Sequence, residues 1–233
     1  MAIFAISDLH LSLGTNKPMD VFGDKWKNHV QRLEQNWSQV VGKDDVVLVP
    51  GDISWGINLD EALPDFGFIE SLPGIKIISK GNHDYWWSTR RKFRAFLDSN
   101  GFVTISMLHN NAYRFGGYTI CGSRGWIDPG DPGFGDEDRK IFSREMERLR
   151  LSLEEGKRLG GEIIAMLHYP PFDPGHRTND FAGLLKKYDV RVCIYGHIHG
   201  RWEESWRNET VDGIRYLLVS ADFLSFRPMP VAW

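Results

Sequence analysis

AIFAISDLH (residues 2–10) runs an apolar, β-branched stretch into an Asp-x-His pair, and the same design recurs four more times along the 233-residue chain. VVLVP (46–50) leads to Gly51 and Asp52, and IKIIS (75–79) to Asn82, His83 and Asp84. EIIAML (162–167) leads to His168, and RVCIY (191–195) to His197 and His199. Each run is short and apolar enough for a buried strand. In α/β architectures ligands gather outside the carboxyl ends of strands, where chain-distant side chains converge on rigid supports. The sequence therefore predicts an α/β protein whose site is assembled at five strand ends.

The residue types describe a two-metal site. Asp8 and Asp52 supply carboxylates, Asn82 an amide oxygen, and His10, His168, His197 and His199 imidazoles. This nitrogen and oxygen set suits manganese, iron or zinc, manganese foremost, whereas thiolates would have pointed to structural zinc or iron–sulfur. Asp8 and His10 are two apart, as are His197 and His199, so extended backbone would project each pair to one side.

At these residues the chain resembles the calcineurin-like metallophosphoesterase superfamily. The pattern is D-x-H, then GD, then GNH followed by Asp or Glu, then a lone His, then GH-x-H. It is met here by DLH (8–10), GD (51–52), GNHD (81–84), the His of LHYPP (167–171) and GHIH (196–199). The resemblance implies one metal held by Asp8, His10, Asp52 and His199 and a second by Asp52, Asn82, His168 and His197, with Asp52 bridging. It also implies catalytic work for His83, as proton donor or charge stabiliser beside the phosphate, with Asp84 orienting its ring. In-line attack by a metal-bridging hydroxide would need no phosphoenzyme.

Each piece alone has a plainer reading. GD and GN pairs after strands are ordinary turns, and a lone His such as His168 is usually packing. Five pieces in one order invert that balance. His29, within a helical pattern, His109 and the loop residue His176 are assigned no ligand role.

At 42% hydrophobic and 13% aromatic content, the composition predicts one metallophosphoesterase domain over 1–233. No linker, repeat or stretch of 18 apolar residues interrupts it. Cys121 and Cys193 lie in strand-like runs and read as buried thiols, which with the absence of a leader pattern predicts a cytoplasmic protein. A net charge of −3 gives no strong nucleic-acid signal. The basic stretch TRRKFR (89–94) is read as a solvated helix face in preference to phosphate steering. Oligomeric state stays open.

Trp26, Val30, Leu33, Trp37 and Val40 predict an amphipathic helix over 25–41, and Phe142, Met146, Leu149 and Leu153 a long one over 136–159. YRFGGYTIC (113–121) and ETVDGIRYLLVS (209–220) read as hairpins. βα units plus hairpins predict two mixed β-sheets in a four-layer α/β/β/α sandwich, the fold that the resemblance also implies.

Substrate is less well determined. Ser/Thr protein phosphatases of the superfamily show GD-x-x-DRG and RGNHE, whereas this chain has GDISWG (51–56) and KGNHD (80–84). Their phosphate-clamping arginines are missing, which disfavours that branch and leaves small phosphoesters. Phosphodiesters are slightly favoured, since a diester monoanion loses less than a monoester dianion without the clamp; a phosphomonoesterase or nucleotide phosphatase is the alternative. A non-catalytic metal-binding scaffold would have no use for every ligand, and a nuclease would need a basic groove. Trp55, Tyr85 to Trp87, and Trp126 are candidate pocket walls against core packing, and Arg124 a substitute phosphate contact against an ordinary exposed arginine. The DPGDPGFGD loop (128–136) is a candidate lid or rim.

Overall fold

All five leading runs form strands, and they fall into two sheets. The computed structural model describes residues 1–200 and 209–232. The chain divides into two units, Met1–Met107 with the segment from Val219 onward, and Leu108–Leu218. The first unit holds β1 (Ile3–Ala5), β2 (Val46–Pro50), β3 (Ile75–Ser79), β4 (Ile105–Met107) and β11 (Met229–Ala232), ordered β11-β1-β2-β3-β4. The second holds β5 (Tyr113–Phe115), β6 (Tyr118–Gly122), β7 (Glu162–Leu167), β8 (Val192–Tyr195), β9 (Glu209–Val211) and β10 (Ile214–Leu218), ordered β5-β6-β7-β8-β10-β9. Both sheets are mixed: β1 to β4 are parallel with β11 antiparallel, and β6, β7, β8 and β10 are parallel between antiparallel edges. Parallel central strands must be buried on both faces, and β2 is buried at every position.

In the first unit α1 (His29–Val40), α2 (Leu59–Ser71) and α3 (Arg90–Ser99) accompany the sheet. Leu33 and Trp37 of α1, Phe66 and Ile69 of α2, and Phe93 and Leu97 of α3 share one core with Phe4, Val47 and Ile78 of the strands. The first helix begins later than its apolar spacing predicts. Asn28 sits in the left-handed region at φ 52°, so the chain before it makes two 3-10 turns, Met19–Phe22 and Asp24–Trp26, which still bury Trp26. On α3, Arg90, Arg91, Lys92 and Arg94 are exposed, as a solvated face requires.

In the second unit α4 spans Asp136–Leu159, the predicted bounds, and α5 spans Asp180–Lys187. Three acidic residues open α4, and Lys157 and Arg158 close it, each end opposing the helix dipole. Its buried stripe is Phe142, Glu145, Leu149, Ser152, Leu153 and Gly156, so Met146 lies half-buried beside the stripe and a carboxylate lies in it. Both hairpins form, with Gly116 at φ 57° in the first turn and Asp212 and Gly213 at φ 53° and 81° in the second. Cys121 and Cys193 are free and buried, and desolvation pushes the Cys121 thiol up to about 12. No helix among the described residues is long and apolar enough to cross a membrane.

Candidate metal centre

Because β1, β2 and β3 are parallel neighbours, the loops after them emerge side by side. The first two stay paired beyond the strands: the backbone N–H groups of Asp8, His10 and Leu11 donate to the carbonyls of Gly51, Asp52 and Ile53 at 2.9–3.0 Å. Asp8, His10 and Asp52 all lie in the left-handed region, with φ of 58°, 45° and 52°. Few non-glycine residues adopt it, and a run of them at one place marks a strained, over-determined segment. Each Asp-x-His or His-x-His pair is thus presented by turns and not by the extended backbone expected from its spacing; His197, at φ 71°, repeats the pattern.

Asp52 is the centre of this half. Its Oδ2 lies 3.8 Å from His10 Nε2 and 4.0 Å from His83 Nε2, while its Oδ1 accepts the His83 backbone N–H at 2.8 Å. A ligand atom of Asp8 lies within 4.8 Å of one on His10, and likewise for Asp52. The hydroxyl of Ser7 donates to Asp8. Glycine is required at 81, because a Cβ there would stand 2.0 Å from Asp52 Oδ1. Asn82 follows it, half-buried.

Asp84 is fully buried and fixes these loops. Its Oδ2 accepts the N–H groups of Asp52 and Gly81 at 2.9 and 2.7 Å, and its Oδ1 those of Ile53 at 2.9 Å and the Trp86 indole at 3.1 Å. One carboxylate therefore ties the GD turn to the GNHD loop. The His83 side chain is about one-third exposed (35%), 4.5 Å from the Trp55 ring. Trp55 also stacks on His10 at 5.2 Å, and the Lys17 ammonium lies 4.0 Å over the Trp55 ring. Tyr85 is exposed, with its ring 6.3 Å from His83. Trp86, by contrast, is core, 4.8 Å from Phe66, which removes it from the expected pocket wall.

The second unit repeats the device with different parts. His168 and Tyr169 N–H groups both donate to Arg124 O at 2.9 Å, and Gly196 N–H donates to His168 O at 3.1 Å, joining the loops after β6, β7 and β8. His168 is fully buried, its ring 5.1 Å from that of His197, which in turn lies 4.3 Å from Tyr169. His199 follows two residues on. Arg124 is held inside the loop and not exposed: its Nη2 lies 3.2 Å from buried Glu145, and its guanidinium lies 4.2 Å over Trp126. Desolvation draws its pKa below the ordinary arginine value, and Glu145 opposes that shift. Glu145 also takes Arg148 at 2.7 Å. The Trp126 indole donates to Asp138 at 3.0 Å. Residues 128–133 make two successive turns, Asp128 and Asp131 accepting the Gly130 and Gly133 N–H groups at 2.8 Å, and they rim a cavity of about 220 Å³ that reaches His197.

Donors bound to one cation at about 2.0–2.2 Å stand roughly 3–4 Å apart. The His10–Asp52 separation meets that test, and the donors are oxygen and imidazole nitrogen throughout. The residues present fit divalent metal ions.

A sequence profile of calcineurin-like phosphoesterases matches residues 1–201. The chain belongs to that family. Its two mixed sheets with accompanying helices are the α/β fold of that family. It is 39% identical over 80 residues to the Gene 66 protein of Mycobacterium phage L5, covering 34% of this chain and 37% of the phage protein. It is 33% identical over 69 residues to a probable cyclic nucleotide phosphodiesterase of Synechococcus sp. (strain WH7803), covering 25% of this chain and 26% of that protein. The matched stretches thus span well under two thirds of these relatives. Among solved structures, phosphopantetheinyl hydrolase (PptH) from Mycobacterium tuberculosis shares the fold at TM-score 0.58 and 15% identity, covering 99% of this chain and 95% of that one.

Three residues that hold or contact the loops escaped the sequence reading. Lys17 lies in a loop with no periodicity to mark it. Glu145 stands in a helical stripe but reads as solvated because it is charged. Asp65 lies buried in α2, accepting Leu13 N–H at 2.7 Å and the Ser54 hydroxyl at 2.5 Å. Only the recurrence of Glu145 three residues after Phe142 and four before Leu149 could have revealed one of them.

Proposed function

We propose that this phosphoesterase hydrolyses a small soluble phosphodiester at a dinuclear metal centre. In this reading Asp8, His10, Asp52 and His199 hold one ion, and Asp52, Asn82, His168 and His197 the other, manganese being the first choice and iron or zinc the alternatives. The observation that carries it is the Asp52 carboxylate, buried, with one oxygen facing two imidazoles and the other locked by the His83 N–H. The family profile crosses both units, which supports treating the chain as one catalytic domain. Free buried cysteines support a reducing, cytoplasmic setting.

Bound there, the metals would supply Lewis acidity toward the phosphoryl oxygens and a water activated for in-line attack. The chain's own groups supply the rest. Asp84, through the backbone of the GD turn, holds Asp52 in place. His83, partly open to solvent while most of the cluster is buried, donates a proton to the departing alkoxide. Lys17, resting on Trp55, offers a mobile cation for a phosphate in place of the arginines that the sequence lacks. A single mobile ammonium suits a diester monoanion better than a monoester dianion, which keeps the diester first and the monoester or nucleotide as the second reading.

Metal-stripped protein should hydrolyse bis(p-nitrophenyl) phosphate only after manganese is restored, and Asp52→Asn should lose both rate and metal. Undiminished activity of Asp52→Asn would overturn the bridged centre, and a monoester rate far above the diester rate would reverse the substrate preference.

A further inference from the structure

The cavity beside His197 is lined by Trp126, Tyr169 and Phe172 on one hand and by Asp128, Asp131 and Asp173 on the other. Among the described residues, no lysine or arginine lines it. Asp173 is already matched to Arg177, its Oδ2 accepting the guanidinium at 2.7–2.8 Å, and Arg124 is matched to Glu145 behind Trp126. Among the described residues, no ion pair reaches Asp128 or Asp131. Each spends one oxygen on a turn N–H, so their charges are held in place at the rim by the two consecutive turns. Loop closure alone would be served by Asn as well as by Asp. The volume, about 220 Å³, falls below the 300–1,000 Å³ of pockets for drug-sized ligands and suits a compact group of a few heavy atoms.

Aromatic walls with acidic rims recognise organic cations: ring faces attract ammonium through their quadrupoles, and carboxylates at the mouth supply the counter-charge. The same lining repels a second phosphate or any polyanion. We propose that this cavity is the subsite for the alcohol portion of the substrate and that this alcohol is a small amino-alcohol, of the quaternary or primary ammonium type, esterified to the phosphate attacked beside His197. This rests on the phosphodiesterase reading above and narrows it to zwitterionic, soluble diesters. The covalent step is unchanged: water's oxygen bonds to phosphorus, one P–O ester bond breaks, and the leaving oxygen takes a proton.

The test compares p-nitrophenyl phosphorylcholine with its uncharged isostere, p-nitrophenyl 3,3-dimethylbutyl phosphate, on the manganese-loaded protein. The choline ester should show a kcat/KM at least tenfold higher. The double variant Asp128→Asn, Asp131→Asn keeps the oxygen that each turn uses, so it should fold, and it should bring that ratio close to one. Choline alone, titrated calorimetrically into metal-free protein, should bind and should weaken at least tenfold in the double variant. A ratio near one with both esters hydrolysed would overturn the cation subsite and leave the phosphodiesterase reading intact. A tenfold preference for the thymidine 5′-p-nitrophenyl ester over the choline ester would overturn it in favour of a base-binding pocket. If neither ester is hydrolysed the phosphodiesterase reading fails, and the calorimetry then decides the cavity alone: absence of choline binding overturns it. Glycerophosphocholine should be cleaved in solution, and cleavage confined to phosphatidylcholine vesicles would overturn the small soluble diester.

Discussion

The loops after β1, β2 and β3 and the loops after β6, β7 and β8 carry the candidate ligands at the ends of parallel strands, but different side chains brace them. In the first set a buried carboxylate, Asp84, gathers backbone N–H groups from two loops, and three candidate ligand residues lie in left-handed backbone. In the second, backbone N–H groups join the loops through the carbonyls of Arg124 and His168, and side chains brace them: Arg124 lies between Glu145 and the Trp126 ring, and Trp126 is tied to Asp138. The first set thus depends on one buried carboxylate, and the second on an ion pair and a stacked ring in addition to its backbone bonds.

His83→Asn tests the first set most severely. If His83 is a proton donor and not a ligand, metal content should be unchanged while kcat falls on the order of 10²- to 10⁴-fold. The loss should shrink with nitrophenolate, a leaving group that scarcely needs the proton. Loss of a metal with the rate per remaining metal pair preserved would make His83 a ligand and break the division of labour.

Glu145→Ala tests the second set. It strands Arg124, whose side chain is only 13% exposed, and removing one partner of a buried pair costs about 3–5 kcal/mol. Urea unfolding should register that loss. A loss within experimental error would show that the Trp126 wall stands without its ion pair.

The motifs made most of the first set legible, and their blind spots are physical. Strands β1, β2, β3, β7 and β8 were visible because buried parallel strands are unbroken apolar runs, and α4 because its stripe repeats with acidic and basic ends. Helix α2 was not, since Pro64 reads as a breaker while the Asn58 cap, accepting Glu61 N–H at 3.0 Å, starts the helix regardless. Strands β4 and β11 are three and four residues long, too short to carry a period. Candidate ligands could be named from order alone, but the backbone clamp made by Asp84 could not: the letter does not say which N–H groups a buried carboxylate gathers. Arg124 likewise reads as exposed until its partner is found 21 residues away.

Asp84→Asn sharpens the backbone-clamp half of the contrast. An amide can accept with one oxygen only, so the N–H groups of Asp52 and Gly81 or those of Ile53 and the Trp86 indole lose their acceptor. Outer partners of metal ligands typically contribute 10- to 100-fold in affinity, and manganese affinity measured by calorimetry should fall within that range. Unaltered affinity with depressed kcat would assign Asp84 to the His83 ring instead. A smaller effect is expected at Lys17, whose exposed ammonium is screened by water: Lys17→Met should raise KM a few-fold with kcat preserved, and the difference should vanish at high salt.

The smallest effect concerns stability alone and separates the two halves by pH. Asp65 is fully enclosed beneath the loops of the first set, and burial raises its pKa above the ordinary 3.8, with the hydrogen bonds from Ser54 and Leu13 opposing the shift. The fold therefore prefers the protonated acid. Its contribution is fully present below the unfolded value and is lost as pH rises through the folded one. Asp65→Asn keeps an oxygen for the Leu13 N–H and carries no charge at any pH, so it lacks this dependence. Urea midpoints taken from pH 4 to neutrality should show the variant gaining on the native chain as pH rises, while the ligands and their metal affinity stay as they were. A gap that does not change with pH would mean that the two hydrogen bonds fully offset the desolvation of the carboxylate.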